Sequence, residues 1–211
     1  MTMTRTIGWL AATALSLAAL GAQAQTAKAP EALIKEVSTD VLDAVKADKT
    51  IQAGDIRKVI ALVDQKVLPY VNFQRMTASA VGRYWRQATP EQQKRLQDEF
   101  KLLLVRTYSG ALSQVSSEQT VELRPMRAAA ADNEVVVRTE IKGKGDPIQL
   151  DYRLEKAGDS WKIYDVNVLG VWLVENYRNS FAQEIGANGI EGLIAKMAER
   201  NKTAAAAGAK S

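Results

Sequence analysis

The feature that most restricts the fold is a change of hydrophobic period midway along the chain. Before Ser116-Ser117, apolar residues recur every three to four positions, and after it they alternate. The first period buries one stripe of a helix, and the second buries one face of a strand. Four segments carry the alternating pattern: Val121 to Met126, Glu134 to Ile141, Ile148 to Glu155 and Trp161 to Val168. They are separated by Asp132-Asn133, Gly143-Lys144-Gly145-Asp146 and Ala157-Gly158-Asp159, the turn chemistry of an antiparallel meander. From Gly170 the helical period returns. Helices, a meander and helices again predict an α+β domain, a four-stranded antiparallel sheet covered by about six helices.

The helical segments have recognisable ends. A stripe of Leu33, Ile34, Val37, Val41, Leu42 and Val45 starts behind Pro30. A second runs through Ile56, Val59, Ile60, Val63 and Val67, and Pro69 stops it. Asn72 suits the N-cap of a short helix from Phe73 to Val81, with Gly82 placed to end it. Thr89-Pro90-Glu91-Gln92 combines a cap, a first-turn proline and a capping-box glutamine, predicting a helix to about Val115. Helices over 171–185 and 190–200 complete the set, and residues 201–211 read as a flexible Ala-rich tail.

The strands differ in how clearly their faces are written. Ile148, Leu150, Tyr152 and Leu154 share one face of the third strand, with Gln149, Asp151, Arg153 and Glu155 on the other. The fourth strand breaks this rule, because Trp161 and Ile163 alternate in phase with Asp165 and Asn167. Either a bulge re-phases it or both of its faces are covered.

The N-terminus reads as an export signal. Arg5 precedes an apolar run from Ile7 to Leu20, and Ala22-Gln23-Ala24 has the small-x-small pattern of a cleavage site. That run is shorter than the roughly 20 residues of a membrane-spanning helix. Cleavage after Ala24 would remove 24 of the 211 residues, leaving 187 that begin with a short lead, 25–29. Losing Arg5 lowers the formal charge from +4 to +3. Lys and Arg are interspersed with Asp and Glu, so no nucleic-acid footprint is expected. The mild positive balance suits transient contact with an anionic membrane surface.

His and Cys are both absent. This excludes Ser-His-Asp, Cys-His and His-metal chemistry, and the fold must stand without disulfides. Asp165 with Asn167, Asp151 and Glu140 are the carboxyl-amide groups that might suggest a site. Pairing with Arg138 and Arg153 accounts for them structurally, and a buried Asp165 would need an Arg or a helix N-terminus. The Gly143-Lys144-Gly145 turn lacks the strand-loop-helix context of a phosphate loop. With no constellation for catalysis and no cofactor or metal expected, the reading turns to apolar surface. Val166 to Val174 is nearly continuous apolar sequence, more than a one-sided sheet needs, yet composition does not distinguish a filled core from a cavity.

The ordered motifs are more specific. Val67-Leu68-Pro69-Tyr70-Val71-Asn72-Phe73 precedes Val81-Gly82-Arg83-Tyr84-Trp85 and Ala88-Thr89-Pro90-Glu91-Gln92. Then follow Phe100, Leu103-Leu104, Tyr108, Asp151-Tyr152-Arg153-Leu154, Trp161-Lys162-Ile163-Tyr164-Asp165-Val166 and Gly189-Ile190-Glu191-Gly192-Leu193. This succession, over roughly residues 30–200, resembles the MlaC family of periplasmic phospholipid carriers. The resemblance implies a monomeric lipid-binding domain in the periplasm, with an apolar pocket between sheet and helices and phospholipid as ligand. It also implies shuttling between an outer-membrane Mla lipoprotein-porin complex and an inner-membrane Mla ABC transporter. Carried onto this chain, the implied lipid-contacting residues are Val67, Val71, Phe73, Met76, Tyr84, Phe100, Leu104, Tyr108, Leu150, Tyr152, Ile163, Val166, Leu169, Trp172 and Val174. Two alternatives stand beside this expectation. One is a carrier of a hopanoid or other lipid; the other is a periplasmic protein-interaction or chaperone module, marked by exposed apolar patches in place of an enclosed cavity.

Overall fold

A computed structural model describes residues 28–126 and 132–208. The export signal expected over 1–24 lies outside the described residues.

The helices begin where the sequence places their caps. α1 (Pro30–Ala47) has proline in its first turn and buries Leu33, Ile34, Val37, Leu42 and Val45. α2 (Lys49–Gln52) is a single turn capped by Asp48. α3 (Ile56–Leu62) is capped by Asp55, then loosens into a π-helical turn over Val63–Val67 and a tight 3-10 turn over Leu68–Tyr70. α4 (Phe73–Val81) starts at Asn72, whose side chain accepts the Arg75 N–H at 3.0 Å, and ends at Gly82 with φ +66°. α5 (Pro90–Tyr108) has the full capping box: Thr89 Oγ1 accepts the Gln92 N–H at 3.2 Å, and Gln92 Oε1 accepts the Thr89 N–H at 3.0 Å. The α-helix stops at Tyr108, short of the expected Val115. Ser109-Gly110, poor helix formers, tighten the chain into 3-10 geometry over Ser109–Gln114.

The sheet is an antiparallel meander of order β1-β2-β3-β4-β5. Its strands are β1 (Thr120–Leu123), β2 (Glu134–Lys142), β3 (Ile148–Ala157), β4 (Ser160–Val168) and β5 (Val171–Trp172). Five strands replace the expected four. The fifth is only two residues long, too short to show any period, and follows a two-residue turn. In that turn Leu169 and Gly170 have φ of +51° and +90°, the double positive φ of a tight hairpin.

β4 resolves the anomaly in its own sequence. Arg153 of β3 faces Asp165, but the next residue, Leu154, faces Ile163, so Tyr164 is the extra residue of a bulge. The bulge re-phases the strand. Ile163, Val166 and Val168 all join Leu154, Tyr152 and Leu150 on the inner face, and Asp165 and Asn167 turn outward.

α6 (Leu173–Gly208) covers the region read as two helices and continues past Arg200, bending at Gly189, where φ is +71°. Beyond Arg200 it is pinned by Asn201, whose amide donates to the Glu99 carbonyl at 3.0 Å and to its carboxylate at 2.7 Å. No helix among the described residues is long and apolar enough to cross a membrane.

Apolar burial is divided among three clusters. One joins α4, α5 and α6 around Phe100, which meets Tyr177 and Phe181 edge-on at 5.1 and 5.2 Å between centroids. A second packs α1 against the inner sheet face through Ile34, Val137, Leu154 and Ile163. The third gathers α1, α2, α3 and α5 around Val45, Val59 and Val105.

Candidate functional site

The three clusters close on one another only in part, with Val71 and Val166 packed against both the helical cluster and the α1–sheet cluster. Between them lies a cavity of about 370 Å³, within the range of small-ligand sites, about 300–1,000 Å³. Its walls come from every layer of the fold. The π-turn after α3 gives Val63 and Val67, and the 3-10 turns give Leu68, Ala111 and Leu112. α4 gives Phe73 and Met76, and α5 gives Lys101, Leu104, Val105 and Tyr108. The sheet gives Ile141, Ile148, Leu150, Val166 and Val168, with Leu173 opening α6. Val71, Gln114, Val115 and Gln119 complete the lining.

Local chemistry explains why the site is open. A π-turn widens the helix by one residue and splays its side chains, and such turns recur at functional sites. Here it directs Val63 and Val67 to the cavity. Val71 is drawn to the sheet by a parallel bridge to Ile163, and the Asn72 N–H donates to the Ile163 carbonyl at 2.8 Å. The β4 bulge is the decisive device, because without it Asp165 and Asn167 would line the site in place of Val166 and Val168. Gly143 contributes by having no side chain. A Cβ there would lie 2.6 Å from Gln119 Cγ, so glycine lets the Gln119 side chain tuck under the β2–β3 loop at the cavity edge.

The lining is apolar with few polar groups. Lys101 Nζ is held by Asp64 Oδ1 at 2.8 Å. The Tyr108 hydroxyl is pushed above its ordinary pKa by burial, and secondarily by Tyr177. Neither arrangement activates a nucleophile or a base, and the described residues hold no group of three or more carboxylates fit for a metal.

Asp165, the carboxylate singled out in the sequence, lies on the far side of the sheet from the cavity and is 1% exposed. Both partners expected for it are present. Its Oδ1 accepts the Val174 N–H at 3.1 Å, in the first turn of α6, and the Val166 N–H at 2.9 Å. Its Oδ2 accepts from Arg153 Nη1 at 3.0 Å. Burial outweighs these favourable contacts and raises its pKa. The residue anchors α6 to β4, which is a structural role.

Eight of the fifteen residues carried over by resemblance meet in the cavity: Val67, Val71, Phe73, Met76, Leu104, Tyr108, Leu150 and Val166. The other seven lie elsewhere. Phe100 is fully buried one layer behind Phe73, at 5.9 Å between centroids. Ile163 and Tyr152 share the inner sheet face with Val166 but pack towards α1, where the Tyr152 hydroxyl meets Ser38 Oγ at 3.3 Å. Tyr84 packs at the edge of the α4–α5–α6 cluster beneath Arg83, 4.9 Å from its ring. Val174 is buried in that cluster. Trp172 faces outward under Arg153, 3.9 Å from its ring, and Leu169 is 67% exposed at the hairpin tip. Ile141, Ile148 and Val168 also line the cavity and carry the strand alternation, though the resemblance does not imply them. Lys101, Gln114 and Gln119 carry no apolar signal to find them by.

Comparison with known proteins agrees with this geometry. A solved structure of the phospholipid-binding protein from Ralstonia solanacearum, in complex with a phospholipid, is 48% identical, with a TM-score of 0.79. The match covers 83% of this chain and 98% of that one. The toluene tolerance protein ttg2D of Pseudomonas putida is 27% identical over 174 residues, 82% of this chain and 80% of its own. The intermembrane phospholipid transport system binding protein MlaC of Haemophilus influenzae is 25% identical over 172 residues, 80% of each chain. The MlaC protein family, whose members are lipid-binding transport proteins and not enzymes, matches residues 35–199. From the ordered motifs, the meander sheet and this whole-domain match, the chain belongs to the MlaC family.

Proposed function

We propose that this chain is a periplasmic phospholipid carrier that holds acyl chains in the cavity between sheet and helices. The observation that carries the reading is the cavity itself, walled almost wholly by aliphatic and aromatic side chains. The phospholipid complex of the 48% identical relative, which shares the fold, supports it. Two acyl chains carry about 30 methylenes, and burying them at about 0.8 kcal/mol each gives a gross gain of roughly 24 kcal/mol against water. A bilayer offers the chains nearly the same environment, so exchange with a membrane is close to neutral. A carrier of this kind retains lipid in the aqueous periplasm and still releases it at a destination. The export signal over residues 1–24 would deliver it there, and the names of its relatives support shuttling between the outer- and inner-membrane Mla complexes.

Mass spectrometry of the protein purified without added lipid tests the reading. Co-purified two-chain phospholipid is the expected result. A lipid-free, lipid-indifferent protein would overturn it, and a polycyclic lipid in its place would transfer the same cavity to another ligand.

A further inference from the structure

We infer that the β4–β5 hairpin, with Leu169 and Val171 at its tip, is the element through which the cavity meets a lipid bilayer; this rests on the phospholipid reading above. Leu169 and Val171 are 67% and 48% exposed, the most exposed large apolar side chains among the described residues. Leu169 is also the one non-glycine described residue with positive φ, at +51°. A two-residue hairpin turn of this kind favours Asn-Gly, because Asn tolerates the left-handed region better than Leu does. The chain therefore holds a bulky apolar residue, exposed, at a position where a small polar one would be easier. Backbone strain combined with exposure points to a use beyond holding the fold.

The register shows what the tip connects to. Leu150 pairs with Val168, and Val168 pairs with Val171, so the three side chains form one row on the inner face. The first two line the cavity, and the third stands at its exposed end. The Leu169 N–H donates to the Gln149 carbonyl at 3.2 Å, which fixes the tip beside β3. An apolar row thus leads from the cavity wall to the exposed Val171 beside the turn, the route an acyl chain would need.

A protein partner is the weaker fit for this element. β5 offers only two residues of free edge, too few for strand addition. The neighbouring Trp172, the kind of anchor that protein interfaces favour, is turned to the opposite face under Arg153. The lysines at this end of the sheet are internally compensated, with Lys142 bonded to Glu122 at 2.6 Å and Lys144 to Glu118 at 3.0 Å. Membrane contact here is therefore apolar insertion and not electrostatic attraction.

The test is flotation of the lipid-loaded protein with vesicles of phosphatidylethanolamine and phosphatidylglycerol, together with transfer of a fluorescent phospholipid into them. Leu169→Asn combined with Val171→Thr should weaken vesicle association roughly tenfold, from the lost apolar burial, and slow transfer in step. Leu169→Asn alone should melt no lower than wild type, since it relieves the turn. Leu169→Phe should strengthen association, and raised salt should leave wild-type association unchanged. Wild type that does not float, or variants that float and transfer like wild type, would overturn the assignment, the second leaving the tip to a protein partner. The lipid content of the wild-type protein is read separately, so a failure of the carrier reading is told apart from a failure of the hairpin.

Discussion

At the scale of single residues, the structure separates side chains that fill the core from side chains that line the cavity. Val166 is half-buried because it faces the cavity, whereas Phe100, one layer behind, is fully buried. Val166→Asp should therefore leave the protein folded and sharply lower the lipid recovered per mole of protein; unchanged lipid content would remove Val166 from the site. Asp165 makes a prediction about pH. Its carboxyl has a higher pKa in the folded protein than the ordinary value of 3.8, because burial outweighs its hydrogen bonds and ion pair. Above that ordinary value the folded state binds more protons than the unfolded one, so stability contributed at this site falls as pH rises towards the folded pKa. Denaturant unfolding across the acid range should show wild type losing stability relative to Asp165→Asn as pH rises through this window. Parallel curves for the two proteins would remove Asp165 as the source.

At the scale of elements, the β4 bulge matters most. Side chains of a strand alternate with period two, so one extra residue exchanges the faces of everything beyond it. The bulge absorbs Tyr164 as the extra residue, so deleting Tyr164 should leave Ile163, Val166 and Val168 inward and Asp165 and Asn167 outward in a regular strand. The deletion variant should therefore keep its co-purified lipid, as should substitution of Tyr164; loss of lipid on deletion would mean that the bulge itself, and not the phase it sets, holds the cavity open. Elements of this kind differ in how readable they are from sequence. The Thr89–Gln92 capping box was legible outright, since both of its hydrogen bonds are made by residues three apart. The bulge was legible only as a conflict: Trp161 and Ile163 out of phase with Val166 and Val168, with no local mark to say which residue is extra. β5 was not legible, because two residues carry no period and Val171-Trp172 reads equally well as the first turn of a helix. The early stop of α5 was foreshadowed only by Ser109-Gly110.

At the scale of the whole molecule, the cavity was the least legible feature. An apolar stripe states that a side chain avoids water, not whether another side chain fills the space opposite it. Leu104 and Phe100 lie on the same stripe of α5, and only the separation between α5 and the sheet decides that one lines a void and the other a core. The fold class was legible because it depends on periods and turns, whereas the site depends on the distances between elements. That separation has a mechanical consequence. Three clusters that flank a cavity of about 370 Å³, two of them joined through Val71 and Val166, make a compressible protein. Pressure favours whichever state eliminates void volume, and acyl chains would fill the void as a removable keystone. High-pressure fluorescence of the Trp residues should find delipidated protein unfolding at markedly lower pressure than lipid-loaded protein. Equal midpoints would mean that the walls close on one another once the lipid has gone.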